Sequence, residues 1–317
     1  MEHYFCCVCK KIIAEPDDQR IGARHFCREH YARALHASRS RWSRSGLVET
    51  ALIGVFVALV AWIFSGPRYG TLPTSMGMGM LLSLVPAVIW MVYIYRQDRI
   101  EPEPWSLVGG VFLIGGLLGH SIAFPAAEEV FKLSVWGHGS RYSTWIADIA
   151  VAATLQQLCT YLAVRYTVYL TDEFDEAVDG VVYATAAALG LVTVANFRFV
   201  IQSEGVLPVA GAMEICSNAL VHVAAASVLG HGLGRARFEK KGLRGQVFLG
   251  LCFLGSIVIN GGLKRFATVI GVRGTEFLPG LTFSVASVIG VVILVSIDVL
   301  TARLCMSSFE EGSRAHG

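Results

Sequence analysis

Charged residues are scarce in this chain. Asp, Glu, Lys and Arg make up 16% of its 317 residues, whereas 54% are hydrophobic, and the mean hydropathy is +0.56. This balance excludes an ordinary soluble domain and indicates a polytopic membrane protein. We expect no nucleic-acid partner. No cleavable signal peptide is predicted, because residues 1–46 are polar and Cys-rich. The absence of an inverted repeat and of paired broken helices leaves a transporter or lipid-handling protein weakly supported.

Long apolar runs fill most of the chain after residue 46. A helix that spans a bilayer needs about 20 apolar residues, and eight runs approach this length. They lie near residues 47–65, 73–95, 105–125, 144–170, 178–202, 207–234, 246–265 and 278–303. The sequence therefore predicts an all-α polytopic membrane protein with about eight transmembrane helices.

Basic residues in the short loops predict the orientation. Those that flank the first, second and sixth runs are Arg39, Arg41, Arg44, Arg96, Arg99, Arg235, Arg237, Lys240, Lys241 and Arg244. With eight spans, these clusters share one side. We therefore expect both termini to be cytoplasmic and the protein to reside in a bacterial inner membrane. The loop with Lys264, Arg265 and Arg273 argues for the opposite orientation.

The first 35 residues contain two pairs of metal ligands. Cys6 and Cys9 form a Cys-x2-Cys pair, and Cys27 and His30 form a Cys-x2-His pair. Pairs at this spacing bring four ligands to one tetrahedral Zn²⁺. A turn signal and a short strand-like segment separate the pairs, and a helical run begins at Cys27. This order resembles half of a LIM domain or another treble-clef finger.

Alternatives remain for this N-terminal module. Cys7 or His25 could replace one ligand, and a disulfide is possible in principle, although a reducing cytoplasmic location argues against it. Four protein ligands leave no open position, so the predicted zinc is structural. Such modules usually bind proteins, and the basic residues here would also suit anionic lipid. The predicted organisation is a zinc finger at 1–35, a polar linker at 36–46, a membrane domain at 47–305 and a cytoplasmic tail at 306–317.

Short polar motifs interrupt the apolar region. The loop after the second run reads Glu101-Pro102-Glu103-Pro104-Trp105, which by itself is typical of an interfacial loop with a Trp anchor. The fifth run begins with Asp179-Gly180-Val181-Val182-Tyr183, and the sixth contains His222 followed by Gly230 and Gly234. In this order the motifs resemble the PrsW family of intramembrane proteases, over about residues 75–270. The resemblance implies a helical membrane metalloprotease, related to the CAAX-protease-like fold, that cuts anti-sigma factors and similar membrane-linked substrates.

At the positions that the resemblance assigns to catalysis, the chain departs from the family pattern. The family's Glu-Glu-x-x-Lys motif falls on Gln156-Gln157-Leu158-Cys159-Thr160, and the Glu-Asn that ends the motif opened by Asp179 falls on Ala195-Asn196. His222 matches a family histidine, but a later one falls on Asn260. Three of the four motifs therefore lack the groups that bind a metal or move a proton.

The chemistry of these departures predicts a loss of activity. Metal-assisted hydrolysis needs His or carboxylate ligands and a base for the bound water. A Gln side chain is neutral and cannot act as that base, and His222 alone cannot hold a catalytic metal. The Gln pair can still form interhelical hydrogen bonds worth about 1 kcal/mol. It also avoids about 2.5–3.5 kcal/mol per charge at the bilayer centre.

A rival alignment places Glu-Glu-x-x-Lys on Glu128-Glu129-Val130-Phe131-Lys132, which match it letter for letter. These residues follow Pro125 near the end of the third run, whereas Gln156 lies about 18 Å into the fourth at 1.5 Å per residue. We therefore prefer the Gln alignment and interpret Glu128, Glu129 and Lys132 as an interfacial ion-pair group. The favoured function is a pseudoprotease that binds a membrane or cytoplasmic partner. The alternative is an active metalloprotease that uses Glu128, Glu129 and His222.

Overall fold

The computed structural model describes residues 4–13, 17, 19–21, 24–33, 51–52, 54–56, 59, 75–97, 103–137, 139–205, 208–238 and 242–271. The N-terminal residues form two short antiparallel hairpins. Strand β1 (Tyr4–Phe5) pairs with β2 (Ile12–Ile13), and β3 (Gln19–Ile21) pairs with β4 (Arg24–Phe26). A helical turn begins at Arg28. Cys6, Ile13 and Phe26 are buried at the centre, so the small module has an apolar core directly beside its cysteines.

Most of the rest of the described chain is helical. Its α-helices are α1 (Met76–Gln97), α2 (Trp105–Leu118), α3 (Leu133–Trp136), α4 (Arg141–Trp145), α5 (Thr154–Thr167), α6 (Asp179–Gln202), α7 (Pro208–Phe238) and α8 (Gly242–Gly271). Three π-helical segments, Gly119–Ala123, Ala126–Val130 and Ile146–Ala153, extend α2 and join α4 to α5.

Six of these helical stretches are long and apolar enough to cross a membrane. They are Met76–Tyr93, Trp105–Val130, Arg141–Thr167, Asp179–Gln202, Glu214–Phe238 and Leu243–Arg265. They coincide with the second to seventh predicted runs, which confirms an all-α polytopic membrane protein. The count of eight is not confirmed. The run at 278–303 lies outside the described residues, and so does the run at 47–65 apart from a few positions.

The second span continues beyond residue 125, where the sequence predicts that it ends, although residue 125 is a proline. Proline has no N–H and cannot make the ordinary i to i−4 hydrogen bond. The helix continues through π-type bonds on either side, such as the one from the Phe131 N–H to the Ala126 carbonyl at 2.9 Å. The span therefore ends at Val130 rather than breaking at the proline.

Helix α6 occupies the centre of the bundle and packs against α1, α2, α5 and α7. Glycines permit the closest crossings. A Cβ placed on Gly180 would lie 2.3 Å from the Gly230 carbonyl oxygen, and one on Gly190 would lie 1.8 Å from the Phe112 carbonyl oxygen. Small residues at the interface let two helix backbones approach this closely. The glycines at 180 and 230 therefore fix how α6 and α7 meet.

Successive spans alternate in direction, so one end of the bundle collects the start of α2, the end of α5, the start of α6 and the end of α7. Contacts across this end agree with that arrangement. Arg237 Nη2 donates to the Thr171 carbonyl at 3.4 Å. In addition, a Cβ on Gly234 would lie 2.0 Å from the Ala177 carbonyl oxygen. We call this the α6 N-terminal end. Which side of the membrane it faces stays a prediction.

Candidate functional sites: a Cys/His cluster and a buried polar site

The N-terminal hairpins bring four metal-ligating side chains together. The ligand atoms of Cys6, Cys9, Cys27 and His30 all lie within 4.8 Å of one another. Cys9 Sγ is 4.0 Å from Cys27 Sγ, and His30 Nδ1 is 3.1 Å from Cys27 Sγ and 3.7 Å from Cys6 Sγ. Two sulfurs bound at about 2.3 Å to a tetrahedral ion would be about 3.8 Å apart. The donor set and its spacing therefore fit a single zinc ion.

The two alternative ligands take part in the hairpin packing. The Cys7 N–H donates to the His25 carbonyl at 2.9 Å, which links the first turn to β4. The His25 ring stacks on Tyr4, with centroids 4.2 Å apart. The group of four contains neither of them.

Cys6 is prepared for a metal by its surroundings. Burial alone would raise the pKa of its thiol, but hydrogen bonds from the backbone N–H groups of Cys9, Cys27 and Val8 outweigh burial and lower this pKa to about 6. Thiolates rather than thiols bind zinc. The turn therefore favours the thiolate of Cys6, whereas the pKa of the neighbouring Cys9 thiol is raised, in part because Cys6 and Cys27 lie beside it.

Within the bundle, the positions assigned to catalysis by the family pattern are all buried. The exposed fractions are 8% or less for the residues Gln156, Gln157, Asp179, Asn196, His222 and Asn260. The Gln pair lies in α5, Asn196 in α6, His222 in α7 and Asn260 in α8. Four different helices thus place polar side chains inside an apolar bundle, where each must find a partner or destabilise the fold.

The first polar contact joins α5 to α8. Asn260 Nδ2 donates to Gln156 Oε1 at 3.1 Å, and both side chains are buried. A Cβ on the neighbouring Gly261 would lie 2.8 Å from the Asp148 carbonyl oxygen, so α8 lies directly against the π-helical segment before α5. Two residues that the family pattern assigns to separate catalytic motifs therefore meet as an amide–amide pair.

The second contact joins α6 to α7 and orients the imidazole. Asn218 Nδ2 donates to Asn196 Oδ1 at 3.1 Å, and His222 Nδ1 is 2.9 Å from the Asn218 carbonyl oxygen. A carbonyl only accepts, so Nδ1 carries the proton and Nε2 of the neutral ring presents its lone pair. Nε2 is buried and has no hydrogen-bond partner among the described residues.

Further buried polar atoms lack partners in the described part of the chain. Among them are both amide atoms of Gln157, which is 0% exposed, and Oδ1 of Asn260; Trp90 Nε1 and Thr185 Oγ1 also lack partners. Together with His222 Nε2, the atoms of Gln157 and Asn260 offer one amide donor and three acceptor atoms. Native proteins rarely leave such groups unsatisfied, so these atoms are candidates for contact with a polar ligand.

These residues do not fit a catalytic metal. His222 Nε2 is the single nitrogen ligand, and Gln156, Gln157, Asn196 and Asn260 offer neutral amides, whereas catalytic zinc takes three protein ligands drawn from His, Cys and carboxylates. The carboxylate among the motif positions, Asp179, groups with Glu103 and Asp175 instead of His222. Among the described residues, only two groups of three or more His, Cys, Asp or Glu come together, and neither includes His222. The acids of the rival alignment, Glu128 and Glu129, are exposed on the π-helical segment Ala126–Val130.

The second of these two groups consists of acidic residues at the α6 N-terminal end. The sequence interpretation did not predict it. Carboxylate oxygens of Glu103, Asp175 and Asp179 lie within 4.8 Å of one another, and Glu103 is only 4% exposed. Tyr183 OH donates a short hydrogen bond to Glu103. Both motifs, around residues 103 and 179, are visible in the sequence, but nothing in the sequence indicates that they contact each other. The loop before α2 is therefore an anchored part of the core.

The helices and their buried polar positions define a polytopic membrane protein with an intramembrane site. A family model described as PrsW family intramembrane metalloprotease matches residues 103–297. The match covers more than half of the chain, and the chain belongs to this family.

Individual proteins agree with this assignment. The chain is 30% identical to Protease PrsW of Geobacillus kaustophilus over 179 residues, which is 56% of this chain and 74% of the relative. It is 27% identical to Protease PrsW of Oceanobacillus iheyensis over 58% of this chain and 82% of the relative. It is also 27% identical to Protease PrsW of Bacillus subtilis over 49% and 67%. No solved structure matches the chain significantly.

Proposed function

We propose that this protein is a PrsW-family pseudoprotease, which keeps the intramembrane site as a binding site and has lost the chemistry of hydrolysis. The observation that carries the proposal is the hydrogen bond between Gln156 and Asn260. Two neutral amides pair through one hydrogen bond where the family pattern has an acid and a histidine. Neither can donate a lone pair to a metal with useful strength or take a proton from water.

The unpartnered atoms support a role in binding. Gln157 and Asn260 offer amide groups, and His222 offers Nε2. A transmembrane helix satisfies its own backbone, but an unwound segment exposes N–H and C=O groups that need partners inside the bilayer. The buried amides of Gln157 and Asn260 complement such groups. The proposed ligand is therefore a membrane segment of another protein that is locally unwound.

The test is a cleavage and binding assay on the purified full chain in nanodiscs. We expect no cleavage of membrane-anchored or soluble peptides, and we expect capture of a membrane segment to weaken in Gln157→Leu. His231→Ala is the matched control for His222→Ala, because both histidines lie on α7 and His231 contacts Phe248 instead. Proteolysis that His222→Ala abolishes and His231→Ala leaves intact contradicts the proposal.

We also propose that the N-terminal cluster binds one structural zinc ion and recruits a cytoplasmic protein. Three sulfurs and one imidazole nitrogen at the spacing given above support zinc rather than a harder cation. Metal analysis of the full chain should give one zinc per chain, which Cys9→Ser removes. Cys7→Ser is the control and should keep the metal. Loss of zinc in both variants to the same extent would show that Cys7 is a ligand.

The alternative function, an active metalloprotease, requires Glu128 and Glu129 to reach His222. These glutamates are exposed, whereas the imidazole is 3% exposed inside the bundle. The two sets of groups thus lie in different environments, which favours the pseudoprotease. Glu129→Gln distinguishes the two functions, since it abolishes cleavage only if Glu129 takes part.

A further inference from the structure

Two arginines flank one tyrosine ring at the α6 N-terminal end. The guanidinium carbon of Arg165, in the last turn of α5, is 4.5 Å from the centroid of the Tyr169 ring. That of Arg237, in the last turn of α7, is 5.6 Å from the same centroid. We propose that Arg165 and Arg237 together bind the phosphate of an anionic phospholipid headgroup, beside Tyr169. This headgroup site is separate from the intramembrane site and does not depend on its function.

The two positive charges have no counterion in the described part of the chain. No carboxylate among the described residues lies within 4.0 Å of either guanidinium, although the exposed Asp172 and Glu173 are in the adjoining turn. Arg165 Nη1 is enclosed and also lacks a hydrogen-bond acceptor there. Half-buried charge without a partner destabilises a protein. An anion at the accessible edge of the two guanidinium groups would offset this cost.

Charge alone would suit any phosphate, but the surroundings favour a lipid. Tyr166 is 80% exposed and Leu170 is 68% exposed, on either side of the buried Tyr169. Both lie at the end of the span Arg141–Thr167, and the exposed Phe238 ends the span Glu214–Phe238. Exposed aromatic and apolar side chains at span ends lie at the level of the headgroups. The two arginines thus lie at the level of the lipid phosphates. The exposed Tyr166, Leu170 and Phe238 lie nearby, where acyl chains would contact them.

The chemistry of the pair also fits a phosphate. A guanidinium presents a planar fork of N–H donors that matches phosphate oxygens. Arg237 uses Nη2 on the Thr171 carbonyl, and its remaining donors are not paired with any described acid. Basic pockets between transmembrane helices bind anionic headgroups in this manner. The tyrosine ring supports both side chains through cation–π contacts.

The experiment compares lipid binding by the full chain in nanodiscs of phosphatidylcholine with and without phosphatidylglycerol, with native mass spectrometry as the readout. Each basic residue near a lipid surface contributes about a fivefold change in affinity. We therefore expect Arg165→Ala/Arg237→Ala to weaken phosphatidylglycerol retention by roughly 25-fold. Arg244→Ala removes one charge from an exposed position at the start of α8, so it is the control for the single variant Arg165→Ala, and it should change retention less than about twofold.

Two results would overturn the proposal. One is an equal loss of phosphatidylglycerol in Arg165→Ala and in Arg244→Ala, which would mean that net charge alone controls binding. The other is inorganic phosphate in phosphatidylcholine nanodiscs stabilising the protein as much as phosphatidylglycerol does, which would assign the site to a soluble anion. If the double variant fails to fold, the single variants Arg165→Gln and Arg165→Lys test the site instead. Only Arg165→Gln should weaken phosphatidylglycerol retention, by about fivefold. Equal retention in these two variants would refute the site.

Discussion

The crossing of α2 and α6 makes a quantitative prediction about Gly190. In Gly190→Ala, the new methyl group would lie 1.8 Å from the Phe112 carbonyl oxygen and 2.8 Å from its carbonyl carbon. Ordinary contact begins near 3.4 Å. The two backbones must therefore separate by about 1.6 Å, or α2 must rotate. Both obstructing atoms belong to a helix backbone, so no side chain can move aside.

The cost follows from this geometry. Overpacking a core costs about 1–3 kcal/mol when side chains can adjust, and here they cannot, so we expect about 3 kcal/mol in Gly190→Ala. A second close contact lies one turn away, where a Cβ on Gly115 would be 2.1 Å from the Ala187 carbonyl oxygen. The close contact at Gly115 therefore limits how far the two helices can separate at Gly190. Asn196 follows on α6, so the separation would also disturb its hydrogen bond with Asn218.

The assay is reversible unfolding of the full chain in mixed micelles, titrated with dodecyl sulfate. Gly109→Ala is the matched control, because its Cβ on α2 meets nothing within 4 Å, and its stability should stay within about 1 kcal/mol of the parent. Equal stability of Gly190→Ala and Gly109→Ala would refute the close crossing. A loss confined to Gly190→Ala supports it.

Two further predictions concern buried hydrogen bonds. A double-mutant cycle with Gln156→Ala and Asn260→Ala should give a coupling of about 0.6 kcal/mol or more, and a coupling of zero in micelle unfolding would mean that these amides do not meet. Tyr183→Phe removes the donor to Glu103 and should reduce the free energy of unfolding by about 1.5–3 kcal/mol. Tyr166→Phe, at an exposed position, is its control; an equal loss in both variants would show that the carboxylate does not depend on Tyr183.

Apolar run length predicted the spans well, because insertion into lipid depends chiefly on composition and length. The six described spans agree with the predicted runs to within several residues at each end. One difference arose where backbone hydrogen bonding, rather than composition, sets the boundary. The third run was expected to end at residue 125 and continues to Val130, since π-type bonds carry the helix past Pro125.

The candidate site was predictable only as far as its residue types. The order of the motifs located Gln156, His222 and Asn260 on separate helices, and the structure confirms that each is buried. Their partners were not predictable. Asn218, one turn before His222, had no signal except its spacing, and it both contacts Asn196 and orients the imidazole. Contacts between distant segments depend on helix rotation, which a single sequence does not specify.

The Gln156–Asn260 pair has a consequence for substitutions that would bring these positions closer to the family pattern. An acid in place of Gln156 would put a carboxylate inside the bilayer, at a cost of about 2.5–3.5 kcal/mol. A mutation of Asn260 to histidine would remove the amide that now donates to Gln156 Oε1. Each single substitution toward the family's acid or histidine is therefore expected to lower stability, because the two members of the hydrogen-bonded pair depend on each other.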